Sequence, residues 1–217
     1  MRGYTARLKA ILSPKETRLF ERLNSPQKIQ NYLDTLPINF ERKGETYRSP
    51  RQMLGAKEAH CFEGALFAAA ALAYHGERPL ILDFQTIPED IEHVVTPFQQ
   101  NGFWGAISKT NHAILRYRDP VYKTPRELAM SFFHEYMLHS GEKSMRSYSK
   151  FFDLSKYAPQ KWVTAEEDLF WLVDAVDESS HFPVAPTKNL KLLRKGSKLE
   201  REAFEATEWS EKKKKRL

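Results

Sequence analysis

The sequence holds one cysteine, Cys61, at the head of a run that is apolar almost throughout. From Phe62 to Tyr74 the run carries one charge, Glu63, and one glycine, Gly64. Alanine and leucine dominate it, with no proline and no β-branched residue, so a helix is expected. His75-Gly76 supplies a basic last turn and a stop. A thiol in the first turn of a helix meets unpaired N–H groups and partial positive charge. Both favour the thiolate, which is the nucleophilic form. His60 is not a customary N-cap, which leaves the sulfur as the group those amides would face. The plainer reading is a small buried hydrophobe, and helix position alone favours it. Partners elsewhere in the chain must decide.

A nucleophilic cysteine needs a base within hydrogen-bond reach, and the base needs an orienting group. Seven histidines are available. His75 lies at the far end of the helix, about 20 Å from Cys61. His134, His139 and His181 are expected at the surface, and His60, as an adjacent helical residue, would not face Cys61. His93 differs, because it sits within a strand next to Val94 and Val95. The segment Gln99-Gln100-Asn101-Gly102 is a hairpin turn signal. With a four-residue loop Phe98 pairs with Phe103, and His93 faces Ser108. With a two-residue loop Gln100 pairs with Phe103, and His93 faces Thr110. Either register places a small hydroxyl residue across from His93, with Asn111 next along. The candidate catalytic residues are Cys61, His93 and Ser108, or Asn111 in place of Ser108.

The elements that must position these residues are legible in places. Ser13-Pro14-Lys15-Glu16 is a capping box, and Ser25-Pro26 and Ser49-Pro50-Arg51-Gln52 open two further helices. After Gly76 the period changes. Strands are expected at 79–84, 91–98, 103–108 and 112–118. Thr124-Pro125-Arg126-Glu127 is another capping box, opening a helix that runs to Leu138, and Thr164-Ala165-Glu166-Glu167 opens one more. Residues 141–159 read as a loop. A buried cysteine helix feeding an antiparallel sheet of about four strands is an α+β arrangement. The large aromatics fit core faces, with only Trp104 expected near the site.

The 217 residues suit one domain with a sizeable core. That domain is expected over 1–186, with its core at about 25–120 and a helical extension at about 121–186. One cysteine excludes an internal disulfide framework and suits a reducing, cytoplasmic setting. The N-terminus lacks the apolar segment of a signal peptide, and no stretch is long enough to span a membrane. The net charge of +6 is uneven, because residues 188–217 hold 11 Lys/Arg against 5 Glu. Residues 187–217 therefore read as a flexible basic tail, able in principle to attract nucleic acid or acidic partners. Five interleaved glutamates and a neutral body argue against nucleic acid. Arg116 and Arg118 share a strand face and are expected in salt bridges. No phosphate-cradling loop, Cys/His metal pattern or calcium loop is evident, so neither cofactor nor metal is expected.

The order of parts resembles the transglutaminase-like superfamily, a papain-like fold, over roughly residues 25–120. Glu58-Ala59-His60-Cys61-Phe62-Glu63-Gly64-Ala65-Leu66 is similar to its cysteine motif, followed by Ala70-Ala71-Leu72 and Gly76. His93 is similar in place to its histidine, and Phe103-Trp104-Gly105-Ala106-Ile107 resembles its aromatic strand. The chain departs at the third position. The family's usual aspartate falls at Ser108, and none occurs between Asp90 and Asp119. Nor does the usual aromatic residue follow the histidine. The resemblance implies a thiol enzyme acting on an amide or acyl carbonyl of a peptide, protein or small amide. Peptidase, amidase and acyl-transfer chemistry all fit. Loss of the carboxylate keeps a second reading open, a catalytically inactive binding module on the same fold.

Overall fold

The computed structural model describes residues 1–210. Nine α-helices and seven strands are assigned within them. The helices are α1 (Arg2–Ile11), α2 (Pro14–Arg22), α3 (Pro26–Asp34), α4 (Pro50–Ala56), α5 (Cys61–Tyr74), α6 (Pro125–Phe133), α7 (Phe170–Asp177), α8 (Thr187–Leu190) and α9 (Lys198–Glu205). The strands are β1 (Leu80–Gln85), β2 (His93–Gln100), β3 (Phe103–Ile107), β4 (Arg118–Tyr122), β5 (Ser147–Ser149), β6 (Phe152–Asp153) and β7 (His181–Pro183). The sheet runs β4-β3-β2-β1-β5-β7, with β6 also paired to β1. Every strand pair is antiparallel, and the fold is α+β. Among the described residues no helix is long and apolar enough to cross a membrane.

Helix α5 is the centre of the larger core. Every residue from Phe62 to Tyr74 is buried, so the helix has no wet side. Phe67 packs between Phe20 of α2 and Tyr32 of α3, at ring distances of 5.5 and 5.2 Å. The sheet covers another side, and here the period of two is clean. Ile81, Val94 and Ile107 join the core of α5, while Leu82, Val95 and Ala106 face a second core with α6. The β2–β3 hairpin turns on Asn101-Gly102 alone, both residues left-handed at φ 50° and 84°. This is the two-residue register, with Gln100 opposite Phe103.

The serine starts hold as expected. Ser13 and Ser49 form capping boxes with Glu16 and Gln52, and Ser25 caps α3. Elsewhere the elements shift. The expected strand at 112–118 is irregular up to Tyr117, and β4 begins at Arg118, next to Pro120. Helix α6 ends at Phe133, and α7 begins at Phe170 with no cap at Thr164. The stretch 141–159 is no simple loop, because it supplies β5 and β6. These strands are only three and two residues long, too short for a periodic signal.

The expected tail is also structured as far as it is described. Helices α8 and α9 fall within it, and residues 204–209 dock on 111–116. Phe204 stacks on His112 at 4.4 Å, and Arg116 pairs with Glu208 at 2.9 Å. The run Lys212–Arg216 lies outside the described residues.

Gly64 sets how closely α5 approaches the segment after β3. A Cβ there would stand 2.4 Å from Cβ of Lys109, backbone-anchored and 2% exposed. Gly64→Ala should therefore cost about 1–3 kcal/mol in urea unfolding. Gly55→Ala, where a Cβ meets nothing within 4 Å, should be neutral or stabilising by up to about 1 kcal/mol. Equal effects at the two sites would refute the close approach.

Candidate active site

The head of α5 is built from polar groups in an apolar surround. His60 precedes the helix with extended backbone (φ −97°, ψ −173°), so the rule for adjacent helical residues does not govern it. Its ring folds back over the first turn. Nε2 lies 2.6 Å from the carbonyl of Thr46, to which it donates, and Nδ1 accepts from the Phe62 N–H at 3.3 Å. Glu63 completes the cap by accepting the His60 N–H at 3.1 Å. The sulfur is thus not the sole group at the helix end, and the neutral form of His60 can serve as the cap.

Glu63 is fully buried and heavily satisfied. Asn39 Nδ2 and Thr46 Oγ1 donate to it, as does the Arg48 N–H, at 3.2 to 3.3 Å. Burial raises its pKa, while His60, Arg48 and Asn39 pull the other way. His60 is itself raised to about 9. Burial opposes this and is outweighed by the hydrogen bond to Cys61, the thiolate charge, Glu63 and the Thr46 carbonyl. Cys61 is lowered to about 5. Burial pushes the thiol up, but hydrogen bonding from His60 and His93 and their charges override it. The resting pair at neutral pH is then thiolate and imidazolium. With Nδ1 protonated, that edge of His60 serves the sulfur rather than the Phe62 amide. Cys61 keeps some exposure, so it remains reachable.

His93 is oriented from the opposite side. Its Nε2 lies 2.9 Å from Ser108 Oγ in a buried contact. The Ser108 hydroxyl has one proton and gives it to the Leu115 carbonyl at 2.6 Å. Ser108 can therefore only accept from His93, which fixes the ring proton on Nε2 and leaves Nδ1 for the thiol. Leu115 holds that carbonyl in place with a left-handed backbone, φ 58°, a conformation costing roughly 1–2 kcal/mol without glycine. Its N–H donates to Glu135 Oε2 at 2.9 Å, and the same carboxylate takes Arg118. Arg118 is thus in a salt bridge, like Arg116.

The Ser108 contact arises despite the register. Continuing the observed pairing would set His93 across from Thr110. The ladder instead ends at Ile107, and Gln30 of α3 takes over. Its Oε1 accepts the Ser108 N–H at 2.9 Å, and its Nε2 donates to the Ser108 carbonyl at 2.8 Å. This two-sided clamp turns Ser108 towards His93. Asn111 does not orient His93. Its Nδ2 donates to the Trp209 carbonyl at 3.1 Å, and its Oδ1 accepts the Trp209 N–H at 2.8 Å.

Two cavities meet at Cys61. One, about 370 Å³, is lined by Phe40, His93, Lys109, Asn111 and Tyr136, with Phe204 on its wall. Lys109 does not present its ammonium freely there, since Nζ reaches the carbonyls of Leu33 and Leu36 at the end of α3. The other cavity, about 240 Å³, holds Asp83, Glu92 and Asp177 among valines. One oxygen of each carboxylate lies within 4.8 Å of the others. Asp83 Oδ2 is already held by His181 Nε2 at 3.0 Å. Burial and the neighbouring carboxylates raise Glu92 to about 7 and raise Asp177. Protonation of Glu92 near neutral pH relieves the repulsion among the three, and no metal is assigned to them.

Local sequence patterns do not single out His60, Gln30 or His181. The reason for His60 is conformational, since it stands just outside the helix. His181 was expected at the surface but is nearly buried against Asp83, whose place inside the apolar run Leu80–Phe84 was the available signal. Trp104 does not approach the site. It lines a different cavity, by the β2–β3 turn.

The charge arrangement has a direct readout. Iodoacetamide should alkylate Cys61 at a rate that rises through about pH 5 and stays level across neutral pH. A rate that rises only near the ordinary thiol value of about 8.5 would show that the histidines do not hold a thiolate. Compared with known proteins, the chain matches no family model, and no curated protein matches it.

Proposed function

We propose that the chain is a thiol-dependent enzyme of the transglutaminase-like type, acting on amide or acyl carbonyls of a peptide, protein or small amide. The observation that supports this most directly is the buried Ser108–His93 contact at the edge of the cavity holding Cys61. It presents Nδ1 of His93 to a cysteine that opens a buried helix. The papain-like order of cysteine helix, strand histidine and third polar residue fits the same reading.

In the first half-reaction the Cys61 thiolate attacks the carbonyl carbon, and a C–S bond forms. The oxyanion that develops lies by the first-turn N–H groups of α5, where the helix end favours negative charge. As the intermediate collapses, His93, in the form that carries a proton on Nδ1 as well as on Nε2, gives the Nδ1 proton to the departing amine, the C–N bond breaks, and a thioester remains on Cys61. In the second half-reaction His93 Nδ1 takes a proton from water or from an incoming amine, which attacks the thioester. The C–S bond breaks and the thiolate returns. Water as acceptor gives a hydrolase and an amine gives an acyltransferase.

Ser108 supplies direction without charge. It fixes the tautomer of His93, as a carboxylate would, but offers the imidazolium no counter-ion. Mass spectrometry after exposure to an activated acyl ester should find one acyl group on Cys61 in the native protein. His93→Ala should slow that acylation by about 100-fold or more. Ser108→Ala should slow it by at least about tenfold while leaving the thermal midpoint close to native. Absence of an acyl-Cys61 adduct, with His93→Ala indistinguishable from native, would defeat the proposal in favour of a binding module.

A further inference from the structure

A cavity of about 470 Å³ lies apart from the two at Cys61 and shares no lining residue with them. Trp104 lines it from the β2–β3 turn end of the sheet, while Tyr148 and Phe182 belong to the row that pairs through Phe84 with His93. The size falls within the roughly 300–1,000 Å³ of ordinary small-molecule sites.

Four aromatic rings form its walls. Trp104 meets Phe151 edge-on at 4.6 Å, and Tyr148 meets Phe182 at 5.7 Å. Phe182 stands on the edge strand β7 and is 47% exposed. An aromatic group left in water beside other rings offers a planar ligand a stacking face.

The rim is cationic. Arg78, Arg126 and Lys150 line the cavity, and among the described residues no carboxylate does. Arg78 is neutralised by Asp153 through Nε at 3.1 Å and a second nitrogen. Arg126 is anchored differently, donating to the neutral carbonyl of Val184 at 2.9 Å. It occupies the second position of α6, where the helix end is already positive and a cation is disfavoured. Lys150 is exposed, with its backbone fixed by an N–H bond to the Ser180 carbonyl at 2.8 Å. Two positive charges, Arg126 and Lys150, therefore stand beside the rings without a lining counter-charge.

We infer that this cavity is a binding site for an aromatic or heteroaromatic phosphate monoester of mononucleotide size, separate from the Cys61 cleft. A monoester phosphate carries about −1.5 to −2 at neutral pH, which complements that pair of cations. A guanidinium fixed at one N–H retains others for the phosphate oxygens, while the ring lies against Phe182 and Trp104.

The test is calorimetric titration of the full-length protein with AMP, adenosine and inorganic phosphate separately. AMP should saturate with Kd below about 1 mM, and adenosine and phosphate should each bind at least about tenfold more weakly. Phe182→Ala and Arg126→Ala should each weaken AMP at least about fivefold, and Cys61→Ala should leave it unchanged. If either of the first two fails to fold, Lys150→Glu, an exposed substitution, should produce the same loss. No AMP saturation in that range would overturn the assignment. So would phosphate binding as tightly as AMP, or AMP binding that folded cavity variants leave intact.

Discussion

The burial of α5 on every side is the constraint from which the site follows. A helix with no wet face can leave its first-turn N–H groups to water only at its very end, and here that end is also enclosed. His60 folds over it, Glu63 accepts the His60 N–H, and Asn39, Thr46 and Arg48 then satisfy Glu63. Each added polar group is a response to the one before. The result is a compact polar cluster in surroundings of low dielectric, where charges act on each other strongly. The depressed thiol of Cys61 is a consequence of that cluster rather than of the helix end alone.

The two histidines at the sulfur have different supports, and this separates their behaviour. His60 is tied to the carbonyl of Thr46 and lies near Glu63, so it is held as a fixed cation beside the thiolate. His93 is tied only to a hydroxyl, which fixes its tautomer and adds no charge. In the proposed chemistry the fixed cation keeps the nucleophile ionised, and the less strongly paired ring is the one free to exchange protons. A hydroxyl at the third position is compatible with that division, because the negative charge near the site is carried by Glu63 instead.

Much of this frame was legible because it rests on local rules. The serine-proline starts, the Asn-Gly turn and the continuous apolar run all announce themselves within a few residues. The placing of His93 opposite a small hydroxyl was also within reach. What escaped depends on contacts across long separations. Gln30 acts on Ser108 at a distance of 78 positions, and His181 on Asp83 at 98. The strands β5, β6 and β7 are too short to show a period and exist only because β1 and its neighbours offer edges. The strand expected at 112–118 failed because Leu115 must turn left-handed to deliver its carbonyl, which breaks the alternation its side chains suggest.

Asn111 uses both ends of its amide to grip the backbone of Trp209, as a peptide group in a neighbouring strand would. The two cavities at the sulfur are lined mainly by residues between 38 and 136, with Val173, Val176 and Asp177 beside one and Phe204 on the wall of the other. The cleft is therefore finished by a stretch far along the chain from the cysteine and both imidazoles, so its width depends on how that stretch docks as well as on the helix and sheet beneath it.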